Sequence, residues 1–362
     1  MKTGKSAPKD ILLLGISILF SLVILEIGLR SLTPFPIHGE MANRVAHPVL
    51  GYTLDPFDKE VDADGFRNPA ADGRYDIVVI GDSHTQGFNV RSEESFPHQL
   101  ADMLGVAVYN SGVGGYNIYQ YPYLAELARE KSPSLVLLAL LPSNDLLRNL
   151  PATEYLTGIP GLDLDTVPVK TVADRLEHES ISLGDMLKSR LAIVSAVSYL
   201  NNKRTSNDAS YHDVGGQAIK KDRVANHQTY NDLSDPVIAS SFRNSLAIIN
   251  HINNNLQQSG INFGVVILPS KELVLQEWAH ANSIPLPEGF HANNEVELIN
   301  AWLEYLARSE INFIDATPFV LEAFQTDTAS ARIFYPRGDG HPFASGYQSY
   351  ARAAATLVRK ID

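Results

Sequence analysis

Five short apolar runs constrain this chain more than any other feature: residues 75–80, 106–110, 135–141, 262–268 and 312–315. They are mainly aliphatic, with no strict alternation of polar and apolar positions, so each fits a strand covered on both faces. Between and after them lie segments with helical patterning, at 96–104, 119–131, 237–258, 295–308 and 345–360. Strands that alternate with helices pair in parallel through right-handed crossovers. The expected class is therefore α/β, with a doubly wound, parallel, five-stranded sheet. Ligands of such sheets bind beyond the carboxyl ends of the strands, so the residues just past each run are the first place to look for chemistry.

Three polar stretches lie there, and a fourth precedes the last helical segment. Gly81-Asp-Ser-His-Thr-Gln-Gly87 leaves the first run with no spacer. A serine at that edge can point its hydroxyl into the cleft with backbone N–H groups beside it, as a nucleophile needs. Asp82 and Ser83 are also good helix caps, and this stretch alone leaves both readings open. Asn110-Ser-Gly-Val-Gly-Gly-Tyr116 leaves the second run with three glycines in four residues, which lets the backbone approach a ligand closely. Leu141-Pro-Ser-Asn-Asp145 brings an amide at Asn144, and Tyr335-Pro-Arg-Gly-Asp-Gly-His341 places an acid two residues before a histidine. Each has a bland explanation as a turn or a cap. Their convergence on one sheet edge is what favours a catalytic site.

Composition narrows the chemistry. The chain has no cysteine among 362 residues, which excludes disulfides, thiolate zinc sites and a cysteine nucleophile and leaves Ser, His, Asp and Asn. A net charge of −12, with no basic run longer than a pair such as Lys220-Lys221, argues against a nucleic-acid partner. No cofactor is expected, and no metal: His178, His212, His227, His251, His280 and His291 show no ligand spacing. Asp62 and Asp64 with Gly65 lack the remaining ligands of a calcium loop.

Lys2, Lys5 and Lys9 precede an uncharged stretch over residues 11–25. A positive flank ahead of an apolar run places the N-terminus in the cytoplasm and the rest of the chain across the membrane. With no small-x-small cleavage site after it, the segment reads as an uncleaved anchor over residues 1–33, with the body extracytoplasmic. Residues 34–73, rich in Pro, Gly and Asp, read as an extended lead-in, and 74–362 as the catalytic domain. Within that domain residues 151–235 break the alternation and read as an inserted lid or partner surface, since long structureless loops are uncommon in compact domains. Oligomeric state is not legible.

The blocks Gly81-Asp-Ser83, Gly115, Asn144-Asp145 and Asp339-Gly-His341 together resemble the SGNH, or GDSL-type, hydrolases and acyltransferases. The pieces Leu25-Glu-Ile-Gly-Leu-Arg30, Gly65-Phe-Arg-Asn68 and Glu93-Glu-Ser-Phe-Pro97 are similar to a bacterial membrane-anchored branch. The resemblance implies a flavodoxin-like SGNH fold and a serine esterase of carboxylic, above all acetyl, esters. Ser83 would be the nucleophile, His341 the general base and Asp339 its orienting acid. The Ser83 and Gly115 N–H groups and the Asn144 amide would form the oxyanion hole. The expected substrate, taken from the location beyond the membrane and not from the motifs, is an acyl ester of envelope polysaccharide or of lipid. The alternatives are an O-acyltransferase using the same triad and a non-catalytic glycan-binding protein. Pro142 stands where the family usually has glycine, and one residue separates acid from histidine where two is commoner. His84, beside the serine, and Lys271, after the fourth run, are expected as substrate contacts, the lysine for an anionic group.

Overall fold

The computed structural model describes residues 8–32, 44–68, 73–146, 154–165, 191, 193–194, 209–329, 334–336 and 338–361. They divide into two units. One holds α1 (Pro8–Leu32) and the described residues between 181 and 206; the other is the main body, from residue 42 onward apart from 181–206. Within α1, residues Asp10–Leu29 are long and apolar enough to cross a membrane.

The body is built on a five-stranded, wholly parallel sheet: β3 (Ile77–Gly81), β4 (Val108–Gly112), β5 (Leu135–Leu140), β8 (Asn262–Ile267) and β9 (Asn312–Asp315), in spatial order β4-β3-β5-β8-β9. Every residue of β3, β4 and β5 is buried, as the continuous apolar runs require. Ile77 and Val79 pack on one face of the sheet, and Val78 and Ile80 on the other. The first face is covered by α3 (Phe96–Leu104), α9 (Lys271–Ala281), α11 (Thr317–Ala329) and α12 (Ala344–Ile361). The second is covered by α4 (Tyr121–Glu130), α8 (Pro236–Gln258) and α10 (Asn293–Arg308), where Trp302 is fully buried with its indole N–H on Ser245 Oγ at 2.9 Å. The register sets Gly81 beside Gly112 and Ile267 beside both Leu140 and Asp315. The strand ends therefore form one level edge.

Residues 44–68 are not an extended lead-in. They form an antiparallel hairpin, β1 (Arg44–His47) with β2 (Gly51–Leu54), followed by loops that join the core, with Leu50, Tyr52, Leu54 and Phe66 each 1% exposed. Helices α9 and α11 were not expected from the sequence. The described end of the expected insertion is ordered: a second hairpin, β6 (Tyr211–Val214) with β7 (Gln217–Lys220), runs directly into α7 (Lys221–Tyr230), while 154–157 and 142–145 form short helices, α6 (Glu154–Thr157) and α5 (Pro142–Asp145). Pro34, Pro36, His178 and most of residues 166–208 lie outside the described residues.

Candidate active site

Strand β3 ends at Gly81 because the next turn folds back onto it: a Cβ there would lie 2.1 Å from Thr85 Oγ1. Asp82 then caps the one-turn helix α2 (Ser83–Gln86), its carboxylate accepting the His84 N–H at 2.8 Å. Capping and presentation of the serine are thus one structure, and Ser83 opens the helix with its side chain on the cleft.

The loop ahead of α12 completes a relay. His341 Nε2 lies 2.8 Å from Ser83 Oγ, and His341 Nδ1 lies 2.7 Å from Asp339 Oδ1. If Nδ1 carries the proton toward the carboxylate, Nε2 has a lone pair for the serine hydroxyl. The single residue between Asp339 and His341 lets the same Oδ1 accept the His341 backbone N–H as well, at 3.0 Å. Burial would raise the Asp339 carboxyl, but the charge of His341, the hydrogen bonds from its ring and backbone, and Asn89 Nδ2 on Oδ2 at 2.9 Å hold it well below the usual carboxylate range. Asn89 also donates to the His341 carbonyl at 3.3 Å and occupies the left-handed region at φ 64°. Sequence reading missed Asn89, and no local pattern marks it.

His84 is 2% exposed and stacks on the imidazole of His341, with ring centroids 4.6 Å apart, while Phe88 lies on His341 at 4.8 Å. Burial, then the neighbouring charge of His341, pushes His84 well below the ordinary histidine range, so it braces the ring as a neutral group. Lys271 does not reach a ligand as expected. It is 2% exposed, and its ammonium gives its donors to the carbonyls of Ala218, Pro336 and Asp339 at 3.0–3.1 Å. Three main-chain acceptors leave it no donor for an anion.

Asn144 and Gly115 stand at the same edge. Asn144 Nδ2 donates to Asp82 Oδ2 and to the Tyr116 carbonyl, both at 2.9 Å, which ties α5, the α2 cap and the glycine loop together. Burial raises Asp82 to about 6, with the hydrogen bond from His84 N–H opposing it.

A cleft of about 390 Å³ opens over Ser83 and His341. Its far wall is α7, which contributes Asp222, Arg223, Asn226 and Tyr230. Arg223 pairs with the buried Glu272 at 2.7 Å and packs so closely on Gly340 that a Cβ there would lie 2.0 Å from the guanidinium. The charged stretch at residues 220–223 was the one sequence signal for this wall.

A profile of the GDSL-like lipase/acylhydrolase family matches residues 79–349, which include every block of this edge. The chain belongs to that family. Among solved structures it is similar to a lipolytic protein of the G-D-S-L family from Desulfitobacterium hafniense DCB-2, at 13% identity over 78% of this chain and 98% of that one, with a TM-score of 0.39. It is similar also to a GDSL-like lipase from Bacteroides thetaiotaomicron, at 12% identity over 79% and 88%, TM-score 0.35. A variant of an acetyl-xylooligosaccharide esterase from Geobacillus matches at 13% identity over 78% and 94%, TM-score 0.36. No curated protein matches the chain. Ester hydrolysis is thus the activity of this GDSL-like family member.

Proposed function

We propose that this GDSL-like enzyme cleaves short acyl esters, above all acetyl esters carried on the hydroxyls of envelope carbohydrate, through an acyl-enzyme on Ser83. The reading rests on the hydrogen-bonded chain from Ser83 through His341 to Asp339. Ser83 Oγ attacks the ester carbonyl as its proton passes to His341 Nε2, and Asp339 holds the imidazolium that forms. The tetrahedral oxyanion takes the N–H groups of Ser83 and Gly115 and the Asn144 amide. Asn144 turns to it by exchanging the neutral Tyr116 carbonyl for an anion, the stronger acceptor. Collapse expels the alcohol oxygen, which takes the proton from His341. Water then attacks the acyl-enzyme, His341 again relays the proton, and the acid leaves with Ser83 restored.

A polar cleft wall of Asp222, Asn226 and Tyr230 suits a hydroxyl-rich carrier better than a long acyl chain. The apolar stretch of α1, which follows Lys2, Lys5 and Lys9, suits a membrane anchor with the body on the outer side, where such polymers lie. Ser83→Ala and His341→Ala are each expected to abolish release of phenol from a chromogenic acetate while the protein melts as before. Undiminished release by either folded variant removes the triad. Adding an oligosaccharide acceptor separates the outcomes: free acetate identifies a hydrolase and acetate on the sugar a transferase, while binding of the sugar with no serine-dependent release identifies a glycan-binding protein.

A further inference from the structure

The β1–β2 hairpin is hydrogen-bonded to the glycine loop that leaves β4. Gly114 and Gly115 share one trans peptide, since the described residues contain no cis bond. Its carbonyl oxygen accepts two side-chain donors, Arg44 Nη2 at 2.8 Å and Tyr52 Oη at 2.9 Å. The Arg44 guanidinium lies over the Tyr52 ring, 4.4 Å from its centroid, so the two donors hold each other in place. The register Arg44↔Leu54 and Ala46↔Tyr52 puts both side chains on one face of the β1–β2 ladder, a diagonal step apart. The peptide N–H before this one is fixed as well, with Gly114 N–H donating to Gln86 Oε1 at 2.7 Å, and Tyr116 Oη returns a hydrogen bond to the Tyr52 carbonyl.

A peptide plane is rigid, and in a trans peptide the C=O and N–H point in opposite directions. Two donors that fix the Gly114 oxygen therefore fix the direction of the Gly115 N–H. One of them is cationic, and it also draws electron density toward the oxygen and makes the N–H a stronger donor. We infer that Arg44 and Tyr52 are positioning residues that aim and polarise the Gly115 N–H at the developing oxyanion. The inference rests on the proposed role of Gly115 in the oxyanion hole. It gives the segment that follows the anchor a part in turnover, although neither side chain touches the ester.

The full-length protein in detergent tests it, with a chromogenic acetate for turnover and a short alkylboronic acid as a tetrahedral mimic bound to Ser83. Losing an oxyanion donor outright costs about a hundredfold or more in kcat, and losing its support should cost about tenfold. Arg44→Gln and Tyr52→Phe are each expected to lower kcat about tenfold, leave KM within about twofold, and weaken the boronate by the same factor as kcat. The double variant should fall short of the product of the two, because both donors serve one oxygen. Arg44→Lys keeps a cationic donor and should recover part of the loss. Should Arg44→Gln not fold, Arg44→Lys and Tyr52→Phe carry the test, since they retain the charge and the ring. Unchanged kcat and boronate affinity in the folded variants, in a protein that Ser83→Ala silences, overturn the inference. Turnover that survives Ser83→Ala overturns the acyl-enzyme reading itself.

Discussion

The two sides of the cleft are built on different terms. On the sheet side, Ser83, Gly115 and Asn144 follow directly from buried strands and are held mainly through the backbone: Asp82 to His84 N–H, Asn144 to the Tyr116 carbonyl, Gln86 to Gly114 N–H. On the α7 side, Asn226 is exposed and Tyr230 half-buried, and both stand on a helix that buries only Val224 and His227. The first arrangement suits positions that must not move during reaction, because buried partners fix them. The second suits contacts that can change with the carrier, because an exposed or half-buried side chain can move without disturbing the core. If the two sides divide chemistry from selectivity in this way, substitutions on each should move different kinetic constants.

The sheet side carries the larger expected effect. Asn144→Ala should lower kcat by about a hundredfold or more with KM nearly unchanged, from loss of one donor to the oxyanion. The same change removes the link from α5 to Asp82 and Tyr116, so a melting curve belongs beside the kinetics. A rise in KM with kcat intact would place Asn144 among the ground-state contacts and blur the division.

For the α7 wall the expectation is reversed. The double variant Asn226→Ala, Tyr230→Ala should raise KM for an acetylated oligosaccharide by about tenfold, the scale of one or two lost hydrogen bonds. Its kcat, and both constants for a small aryl acetate, should stay within about twofold. If the aryl acetate suffers equally, the wall is shaping the reacting centre and the two sides act as one.

The same contrast explains what could be read in the sequence. The five strands lie within two residues of their expected positions, because aliphatic runs covered on both faces have few other ways to fold. Ser83 and Asn144 were legible because strand ends make those residue types conspicuous, and His341 because an acid stands two residues before it ahead of the last helix. Helix α7, Lys-Asp-Arg-Val-Ala-Asn-His-Gln-Thr-Tyr, buries only Val224 and His227 and carries no apolar stripe, so its helix was invisible to periodicity. Strands β6 and β7 are half polar, and only the turn at Gly215-Gly216 announces them. Helix α9 did carry a signal, since Ser270 caps it by accepting the Leu273 N–H, but the strand before it drew attention to Lys271 as a ligand contact instead. Asn89 meets Asp339 across 250 residues of chain, and Arg44 meets Gly114 across 70. Contacts of that range depend on topology, which no local window contains.

The loop that carries Asp339 joins the two sides, and its expected effect is the smallest and the most specific. Asn89 holds the Asp339 carboxylate from the serine side, while Lys271 holds the Pro336 and Asp339 carbonyls and Arg223 packs on Gly340. The carboxyl of Asp339 lies well below its ordinary range in the folded protein, through His341 and Asn89 against the cost of burial. A carboxyl depressed by folding contributes stability at pH above its unfolded value of about 4, and that contribution drains away as pH falls below it, because the unfolded chain then takes up the proton first. Asp339→Asn removes this term and leaves the loop's main-chain contacts in place. The melting temperature of the native protein should therefore exceed that of the variant by most above about pH 5, with the gap narrowing as the pH falls toward 3. A gap that stays constant over that range would mean the carboxylate gains nothing from His341, and the loop would then be positioned by its carbonyls alone, through Lys271.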